Sequence, residues 1–269
     1  NDSPDHAYYP FNGDANDYSG NDNHGIPNEI TYTEDRFGNA NGAIYIDSKS
    51  DRVDISNYNS SNISVSMWYK YNGNGNNWNT LLCRQGGTYH HLLINKDSRQ
   101  IGFYNSNWHS SGVALTVGQW YHIVLVKEGS NSKIYLDNEL IQDSNSSFNN
   151  SSYPLSVIGN YTSWSQGALG SIDDVQIYNR ILDTDEIVEL YSASSTNDVL
   201  TLVTPGSLTG IYNNISGILN ITGQASKENY QTALRSMSYH STSEDPTITS
   251  SSRTIIWAVT DADSENLGV

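Results

Sequence analysis

The stretch of sequence that decides the fold is GALGSIDDVQIYNR at residues 167–180, which runs directly into ILDTDEI at residues 181–187. Two adjacent carboxylates, Asp173 and Asp174, interrupt a segment that otherwise consists of the small and apolar residues of a strand. A carboxylate that is removed from water needs a compensating partner, which is commonly a metal ion. We therefore expect a buried strand that contributes to a metal site.

The residues after this strand predict a short helix. Asp183 is placed to cap the helix N-terminus, and Glu186, three residues later, completes a capping box. Leu182 and Ile187 are spaced as a hydrophobic staple, and the apolar stripe of the helix continues to Tyr191.

The rest of residues 1–180 predicts strands. Residues 63–71 alternate with period two, which places one apolar set on one face and Trp68 on the other. That set comprises Ile63, Val65, Met67 and Tyr69. Residues 121–126 are apolar on both faces, and residues 133–141 are typical of a hairpin whose Asp137-Asn138 pair tolerates positive φ. This pattern predicts an all-β antiparallel jelly-roll sandwich.

Composition limits the classes of partner. The 269 residues carry a formal charge of -16 with only 13 Lys and Arg, which argues against binding to nucleic acid or to an anionic membrane. No apolar run approaches the ~20 residues that span a bilayer, so membrane insertion is not expected. Divalent cations would screen the excess carboxylates, and Cys83, the single cysteine, excludes an intrachain disulfide. We therefore expect an extracellular, Ca²⁺-stabilised protein, with an acidic cytosolic protein as the alternative.

The chain is predicted to have two domains. Residues 1–191 form the large all-β domain, residues 192–198 are small and polar as in a linker, and residues 199–269 form a smaller domain. The smaller domain is expected to contain strands at 199–203 and 215–222, a short helix capped by Ser226, and a final strand at 253–261.

Several motifs, taken in order, give the large domain a family resemblance. Residues 8–191 resemble a laminin G-like domain of the concanavalin A-like jelly-roll superfamily, and the matching stretches are residues 9–13, 17–21, 64–69, 118–123, 133–140 and 170–182. The resemblance implies two packed antiparallel sheets. It also implies a calcium ion where the N-terminal Ser-Gly-Asn loop meets the C-terminal Ile-Asp-Asp strand.

The smaller domain is similar to the cadherin-like or immunoglobulin-like modules of giant bacterial (RTX-type) surface adhesins. Residues 230–239 and 253–261 carry this similarity. The strands that usually begin such modules are not found before Val199. Two alternatives stay open: a complete module, or the second half of a domain split by insertion of the jelly roll.

The predicted calcium ligands follow from this resemblance and from residue chemistry, since Ca²⁺ prefers carboxylate, amide and carbonyl oxygens. Asp17 and Asp173 are the leading carboxylates, and Asp14 or Asn21 assists them. Asp174 is expected on the opposite strand face from Asp173. The alternative is that the loop around Asp17 is only solvated.

Two further details complete the metal prediction. Asp173 is expected on the side of Val175 and Ile177, facing the ion. Asp261 and Asp263 resemble the calcium-binding linkers between tandem adhesin modules, with remaining ligands from a neighbouring module.

Aromatic residues in polar stretches predict a ligand site. Trp78, Trp108 and Trp164 lie among Asn and Ser residues, where the local pattern gives no reason for burial. An indole offers a flat apolar face to a sugar ring, and the amides and hydroxyls around it can bind the sugar oxygens. Tyr89 and His90 are candidates for the same surface. The alternative is that each indole packs on its own loop.

Catalysis is not predicted. The sequence has no Glu-x-Asp-x-x-Glu run, nucleophile elbow or phosphate-binding loop. The hypothesis is a calcium-dependent, carbohydrate-binding region of a bacterial cell-surface adhesin, monomeric and flanked by other modules, that attaches to host or surface glycans. A protein-binding or peptide-binding laminin G-like domain and a structural extender that binds nothing are the alternatives.

Overall fold

The computed structural model describes residues 6–48, 50–73, 78–84, 86, 89–148, 152–161, 166–193, 198–213 and 218–241. The chain divides into two compact units, Asn1–Tyr191 and Ser192–Val269. Within the described ranges, no helix has the length and apolar character needed to cross a membrane.

The described residues of the first unit form fifteen strands and one helix. In chain order these are β1 (Ala7–Tyr9), β2 (Ile26–Asn28), β3 (Thr31–Thr33), β4 (Ala43–Ile46), β5 (Arg52–Tyr58), β6 (Asn62–Tyr71), β7 (Asn79–Cys83), β8 (His90–Ile94), β9 (Gln100–Tyr104), β10 (Trp108–Ala114), β11 (Trp120–Glu128), β12 (Asn131–Leu136), β13 (Glu139–Ser144), β14 (Leu155–Ile158), β15 (Gly170–Tyr178) and α1 (Thr184–Ala193).

These strands form two antiparallel sheets. The eight-stranded sheet has the order β13-β12-β11-β6-β15-β4-β3, and β1 also pairs with β15. The seven-stranded sheet has the order β10-β9-β8-β7-β14-β5-β2. Because both sheets contribute to one apolar core, the predicted all-β jelly-roll sandwich is confirmed.

The core follows the alternation expected from the sequence. Ile63, Val65, Met67 and Tyr69 of β6 all lie in the core between the sheets. On β11, Ile123 and Leu125 enter this core, whereas Val124 and Val126 belong to a second apolar cluster. The eight-stranded sheet is therefore covered on both faces, which explains the apolar run at residues 121–126.

Helix α1 packs on the outer face of the eight-stranded sheet. Leu182 and Ile187 are buried in the second cluster together with Tyr178. The predicted capping box is present: the Glu186 amide donates to Asp183 Oδ1 and the Asp183 amide donates to Glu186 Oε2, both at 2.9 Å.

The β12–β13 hairpin is also confirmed. Asp137 and Asn138 form its two-residue turn with φ values of 48° and 64°. Asp and Asn tolerate this left-handed conformation better than most residues, as the sequence predicted.

The second unit contains β16 (Asp198–Thr201), β17 (Thr209–Asn213), β18 (Ile218–Thr222), α2 (Lys227–Arg235) and β19 (Ser238–Ser241). Strand β16 pairs with β19, and β17 pairs with β18. Ser226 caps α2 as predicted, because its side chain accepts from the Asn229 amide. Strand β17 was not predicted, and the predicted strand at 253–261 lies outside the described residues.

Candidate functional site

The carboxylate pair of the sequence motif lies on β15, between β6 and β4 in the eight-stranded sheet. Asp173 pairs with Trp68 of β6, and the register then shifts so that Gln176 pairs with Ser66. Asp174 has a φ of 48°, which marks it as the extra residue of a β-bulge. The bulge allows both carboxylates to reach one partner, whereas a regular strand would direct them to opposite faces.

Two predictions about this pair are therefore wrong. Asp173 does not lie on the side of Val175 and Ile177, since those two residues enter the core between the sheets while Asp173 lies beside Trp68 on the outer face. Asp174 does not diverge from Asp173 either. The physical reason for both errors is that the bulge shifts the inward and outward alternation by one residue.

The partner of both carboxylates is Arg36, which lies in the loop between β3 and β4. Its Nη1 is 2.5 Å from Asp173 Oδ2 and its Nη2 is 2.6 Å from Asp174 Oδ2. The three side chains are nearly inaccessible, at 4% exposure for Arg36, 0% for Asp173 and 4% for Asp174. A guanidinium ion therefore provides the compensating charge that the strand motif requires.

Aromatic rings enclose the Arg36 guanidinium. Its central carbon lies 4.3 Å from the ring centroid of Phe37 and 4.9 Å from that of Trp68. Trp68 in turn stacks on Tyr191 of α1, with centroids 5.9 Å apart and planes 15° apart. Cation–π contacts gain strength when water is excluded, so these rings add to the ionic contacts of Arg36.

The charges in this cluster oppose one another. Burial raises the pKa of Asp173 well above its usual value and the charge of Asp174 raises it further, while Arg36 lowers it. Burial also raises the pKa of Asp174, against the effects of Arg36 and of the Tyr8 hydroxyl, which donates to Asp174 Oδ1 at 2.8 Å. His122 is neutral, because burial, helped by the charge of Arg36, lowers its pKa to about 3.

Asp17 has a separate set of partners in the loop after β1. Its Oδ1 accepts from the amides of Tyr8 and Ser19, and its Oδ2 accepts from the Ser19 hydroxyl and the Asn23 amide, all at 2.9 Å. Burial raises the pKa of Asp17, but these hydrogen bonds together outweigh it and hold the pKa below its usual value. The Asp17 carboxylate therefore organises its own loop.

The other predicted ligands in this loop are also engaged. Asp14 accepts from the backbone and side-chain amides of Asn16 and from the Tyr18 hydroxyl. The Asn21 side-chain amide donates to Ser19 Oγ at 3.1 Å. Both Asp14 and Asn21 serve local turn geometry.

The described residues do not fit one shared calcium site. Asp17 and Asp174 contact opposite ends of Tyr8, its amide and its hydroxyl, and Asp173 contacts Arg36. Among the described residues, no group of three or more His, Cys, Asp or Glu side chains is placed to hold a metal ion. Asp261 and Asp263, predicted for a second ion, lie outside those residues.

The predicted ligand-binding aromatics occur on the seven-stranded sheet. Trp78 and Trp108 are half-buried and in edge-to-face contact, with ring centroids 5.0 Å apart and an interplanar angle of 71°. Trp108 starts β10, and its six-membered ring lies over Gly102 of β9, where a side chain would clash with it. Sequence separation of thirty residues gave no sign that these two indoles touch, so their pairing comes from the fold.

His90 lies on the same face of this sheet but is buried. Its Nδ1 is 3.1 Å from Thr80 Oγ1, and its ring meets Tyr161 edge-on with centroids 4.6 Å apart. Burial lowers the pKa of His90 to about 4, so the ring is neutral at pH 7. His90 therefore packs against Thr80 and Tyr161 under the exposed surface and is not itself available to a ligand.

Tyr89 lies at the turn end of the β7–β8 hairpin, away from Trp78, which precedes β7 at the other end. Its ring contacts Tyr153 at a centroid distance of 4.1 Å, and its hydroxyl is 3.2 Å from Ser106 Oγ. The prediction for Trp164 lies outside the described residues.

Sequence reasoning missed Arg36, Tyr8 and Gly102. Arg36 could have been suspected, because a buried carboxylate pair needs a cation and the whole chain has only 13 Lys and Arg to offer. Gly102 gave no local signal, since its role depends on a ring from the neighbouring strand.

Residues 39–188 match the family model described as the concanavalin A-like lectin/glucanases superfamily, Laminin_G_3. The comparison with curated proteins finds no match.

Solved structures have the same fold. Domain 4 of AbnA, a GH43 extracellular arabinanase from Geobacillus stearothermophilus in complex with arabinotriose, is 19% identical with a TM-score of 0.53, over 68% of this chain and 96% of that chain. Trypanosoma rangeli sialidase with the inhibitor DANA is 12% identical with a TM-score of 0.56, over 70% of this chain and 33% of that chain. The botulinum neurotoxin serotype D binding domain is 16% identical with a TM-score of 0.54, over 78% of this chain and 57% of that chain. Identities this low show the fold alone.

Proposed function

Since the chain belongs to the concanavalin A-like lectin/glucanases superfamily, we propose that residues 1–191 form a carbohydrate-binding domain whose ligand rests against Trp78 and Trp108. The observation that carries this proposal is the contact of the two half-buried indoles on the outer face of the seven-stranded sheet. Two indoles in contact offer a larger apolar surface than either loop could offer alone.

Polar groups beside the indoles complete the chemistry that a sugar requires. Ser110 lies two residues after Trp108 and so on the same side of β10, and its hydroxyl donates to Gln100 Oε1 at 2.8 Å. Gln100 also donates to the Gly112 carbonyl at 3.2 Å. Hydroxyl and amide groups at the edge of an aromatic surface can exchange hydrogen bonds with sugar hydroxyls.

We propose binding without hydrolysis. Glycoside hydrolysis needs two carboxylates placed on either side of the bond that is cleaved. The carboxylates of the strand motif, Asp173 and Asp174, are inaccessible, belong to the other sheet and are bound to Arg36. They are therefore unsuited to act on a ligand at Trp78 and Trp108.

The similar solved structures are consistent with this proposal. One is described in complex with arabinotriose, one with a sialidase inhibitor, and one is a toxin binding domain. The chain spans almost all of the arabinanase domain but about a third of the sialidase, so only the matched part of the sialidase is relevant.

The biological setting is proposed from the composition and from the resemblance of the smaller domain. We propose an extracellular domain, because the chain is strongly acidic and has one cysteine. We propose that it belongs to a monomeric bacterial surface adhesin with cadherin-like modules, because residues 230–239 and 253–261 resemble such modules. Calcium dependence of ligand binding stays a prediction, which a binding titration with Ca²⁺ and with EDTA tests.

A glycan array followed by calorimetric titration tests the carbohydrate site. We expect saccharide binding that falls roughly tenfold or more, about 1.4 kcal/mol, in both Trp78→Ala and Trp108→Ala. The control is Tyr18→Ala, which removes an aromatic ring that is 54% exposed in the loop after β1 and should leave affinity unchanged. Circular dichroism confirms that each variant is folded.

Two results would contradict the carbohydrate proposal. The first is an array with no saccharide hit, which would favour protein binding or a spacer role. The second is saccharide binding that survives in both Trp variants, which would place the site elsewhere on the domain.

A further inference from the structure

The buried cluster of Arg36, Asp173 and Asp174 places two carboxyl groups on one guanidinium. Each carboxylate uses its Oδ2 to contact Arg36, and Asp174 uses its Oδ1 to accept from Tyr8. Asp173 Oδ1 is buried and has no partner with good hydrogen-bond geometry among the described residues, while the nearby Asp174 amide acts on the same carboxyl group and lowers its pKa. The cluster therefore contains an oxygen with unused capacity to bind a cation or a donor.

These contacts join three segments that are distant in sequence. Tyr8 comes from β1, Arg36 from the loop between β3 and β4, and the carboxylates from β15. The family resemblance implied a calcium ion joining the start of the jelly roll to this strand, and the described residues do not form that site. A protein cation already joins these segments.

We propose that the Arg36 guanidinium stands in for a divalent cation, so that the Asp173–Asp174 pair needs no metal ion in this protein and becomes a divalent-cation site when the guanidinium is removed. Truncation at Arg36 would leave two adjacent carboxylates and the Tyr8 hydroxyl around the vacated volume. Hard cations such as Ca²⁺ prefer oxygen ligands of this kind. This inference is independent of the carbohydrate site.

The β-bulge is what makes both carboxylates available. Because Asp174 has positive φ, its side chain joins Asp173 on one guanidinium instead of pointing away. Two carboxyl groups share the charge of one guanidinium, whereas a divalent ion would neutralise both as carboxylates. The same geometry that suits the fork of Arg36 therefore supplies two ligands to a metal.

The test is calorimetric melting of the full chain in EDTA, in CaCl₂ and in MgCl₂. For wild type, we expect the first unit to melt at the same midpoint in all three solutions. The double variant Asp173→Asn/Asp174→Asn is the reference, and any shift that it shares with wild type comes from ions bound elsewhere. For Arg36→Ala, we expect a lower midpoint in EDTA that rises with Ca²⁺ by on the order of 5 °C or more, because an ion that binds only the native state stabilises it by mass action.

Two controls isolate the site. Arg180→Ala removes an arginine whose bond to Glu186 is about one third exposed, so its response to Ca²⁺ should equal that of wild type. Arg36→Ala combined with Asp173→Asn and Asp174→Asn should lose the additional response. If Arg36→Ala does not fold in EDTA, the yield of folded chain on refolding in Ca²⁺ compared with EDTA gives the same information.

The proposal is overturned by either of two results. One is a wild-type midpoint that falls in EDTA while the midpoint of Asp173→Asn/Asp174→Asn does not. That result would show that the native protein holds an ion at the pair. The other is an Arg36→Ala protein whose melting or refolding responds to Ca²⁺ no more than wild type does.

Discussion

Replacing Asp17 with Asn should destabilise the first unit, because the carboxylate accepts four hydrogen bonds. An amide keeps one acceptor oxygen and turns the other into a donor, which in the place of Oδ2 faces both the Asn23 amide and the Ser19 hydroxyl. The hydroxyl can rotate to accept, but a backbone N–H cannot. Stranding that N–H costs about 1–3 kcal/mol, and each remaining bond loses roughly 1 kcal/mol when its acceptor becomes neutral. With two bonds left on the unchanged oxygen, we expect a total of about 3–5 kcal/mol.

The pH dependence of this effect has a definite sign. The pKa of Asp17 is lower in the folded protein than its ordinary value, so the folded state binds fewer protons than the unfolded state. Its contribution to stability is complete above the unfolded pKa of about 3.9 and is lost as pH falls through the folded pKa. The difference between wild type and Asp17→Asn should therefore be constant from neutral pH to mildly acidic pH and shrink in stronger acid.

Calorimetric melting in EDTA and in Ca²⁺ measures this difference. A loss of about 3–5 kcal/mol corresponds to a midpoint lower by roughly 6–20 °C for a unit of this size. The matched control is Asp14→Asn in the same loop, where the carboxylate is half-buried but its three hydrogen bonds are exposed to water. Water can replace those bonds, so the expected change is within about 0.5 kcal/mol. The reasoning is refuted if Asp17→Asn melts like wild type in EDTA, or if its deficit appears only in Ca²⁺, which would make Asp17 a metal ligand.

Two further predictions concern the seven-stranded sheet. Gly102→Ala should lower the melting midpoint and also weaken saccharide binding. The added Cβ would lie 2.0 Å from the His109 carbonyl oxygen and 2.6 Å from the Trp108 ring. A variant that binds and melts like wild type would contradict this, because it would show that the strands can move apart. Cys83 should react with a thiol reagent only after unfolding, since it is buried, donates to the Asn160 carbonyl at 3.0 Å and has a pKa raised by burial; rapid labelling of the native protein would contradict this.

Features that depend on neighbouring residues in sequence were predictable. The capping box of Asp183 and Glu186 and the Asp137-Asn138 turn need only short-range chemistry, and both are present. The alternation of β6 also predicted which face enters the core, since a strand repeats every two residues.

The carboxylate pair shows where such reasoning fails. Strand periodicity assumes an unbroken ladder, and Asp174 breaks it with a bulge that nothing in the residue types requires. The motif correctly indicated a buried pair that needs a cation, but the cation could not be identified, because Arg36 lies 137 residues from Asp173 in sequence.

The candidate ligand site was predictable only in part. The polar surroundings of Trp78 and Trp108 suggested exposed indoles, and the fold brings these two into contact. His90 and Tyr89 have neighbours on other strands that determine their burial and position, so their local sequence carried no information about either.

The pairing of β1 with β15 has a mechanical consequence. Ala7 lies opposite Ile177, so the chain enters β1 and leaves β15 at the same end of an antiparallel ladder. If the chain were pulled at the start of β1 and the end of β15, the hydrogen bonds between the two strands would break one after another. This geometry resists less force than one in which all of the bonds are loaded at once. Tyr8, anchored through its hydroxyl to Asp174, sits at the second step of that process. The Tyr8–Asp174 contact and the burial of Ala7 and Tyr9 in the core therefore add resistance that the three-residue ladder alone would lack.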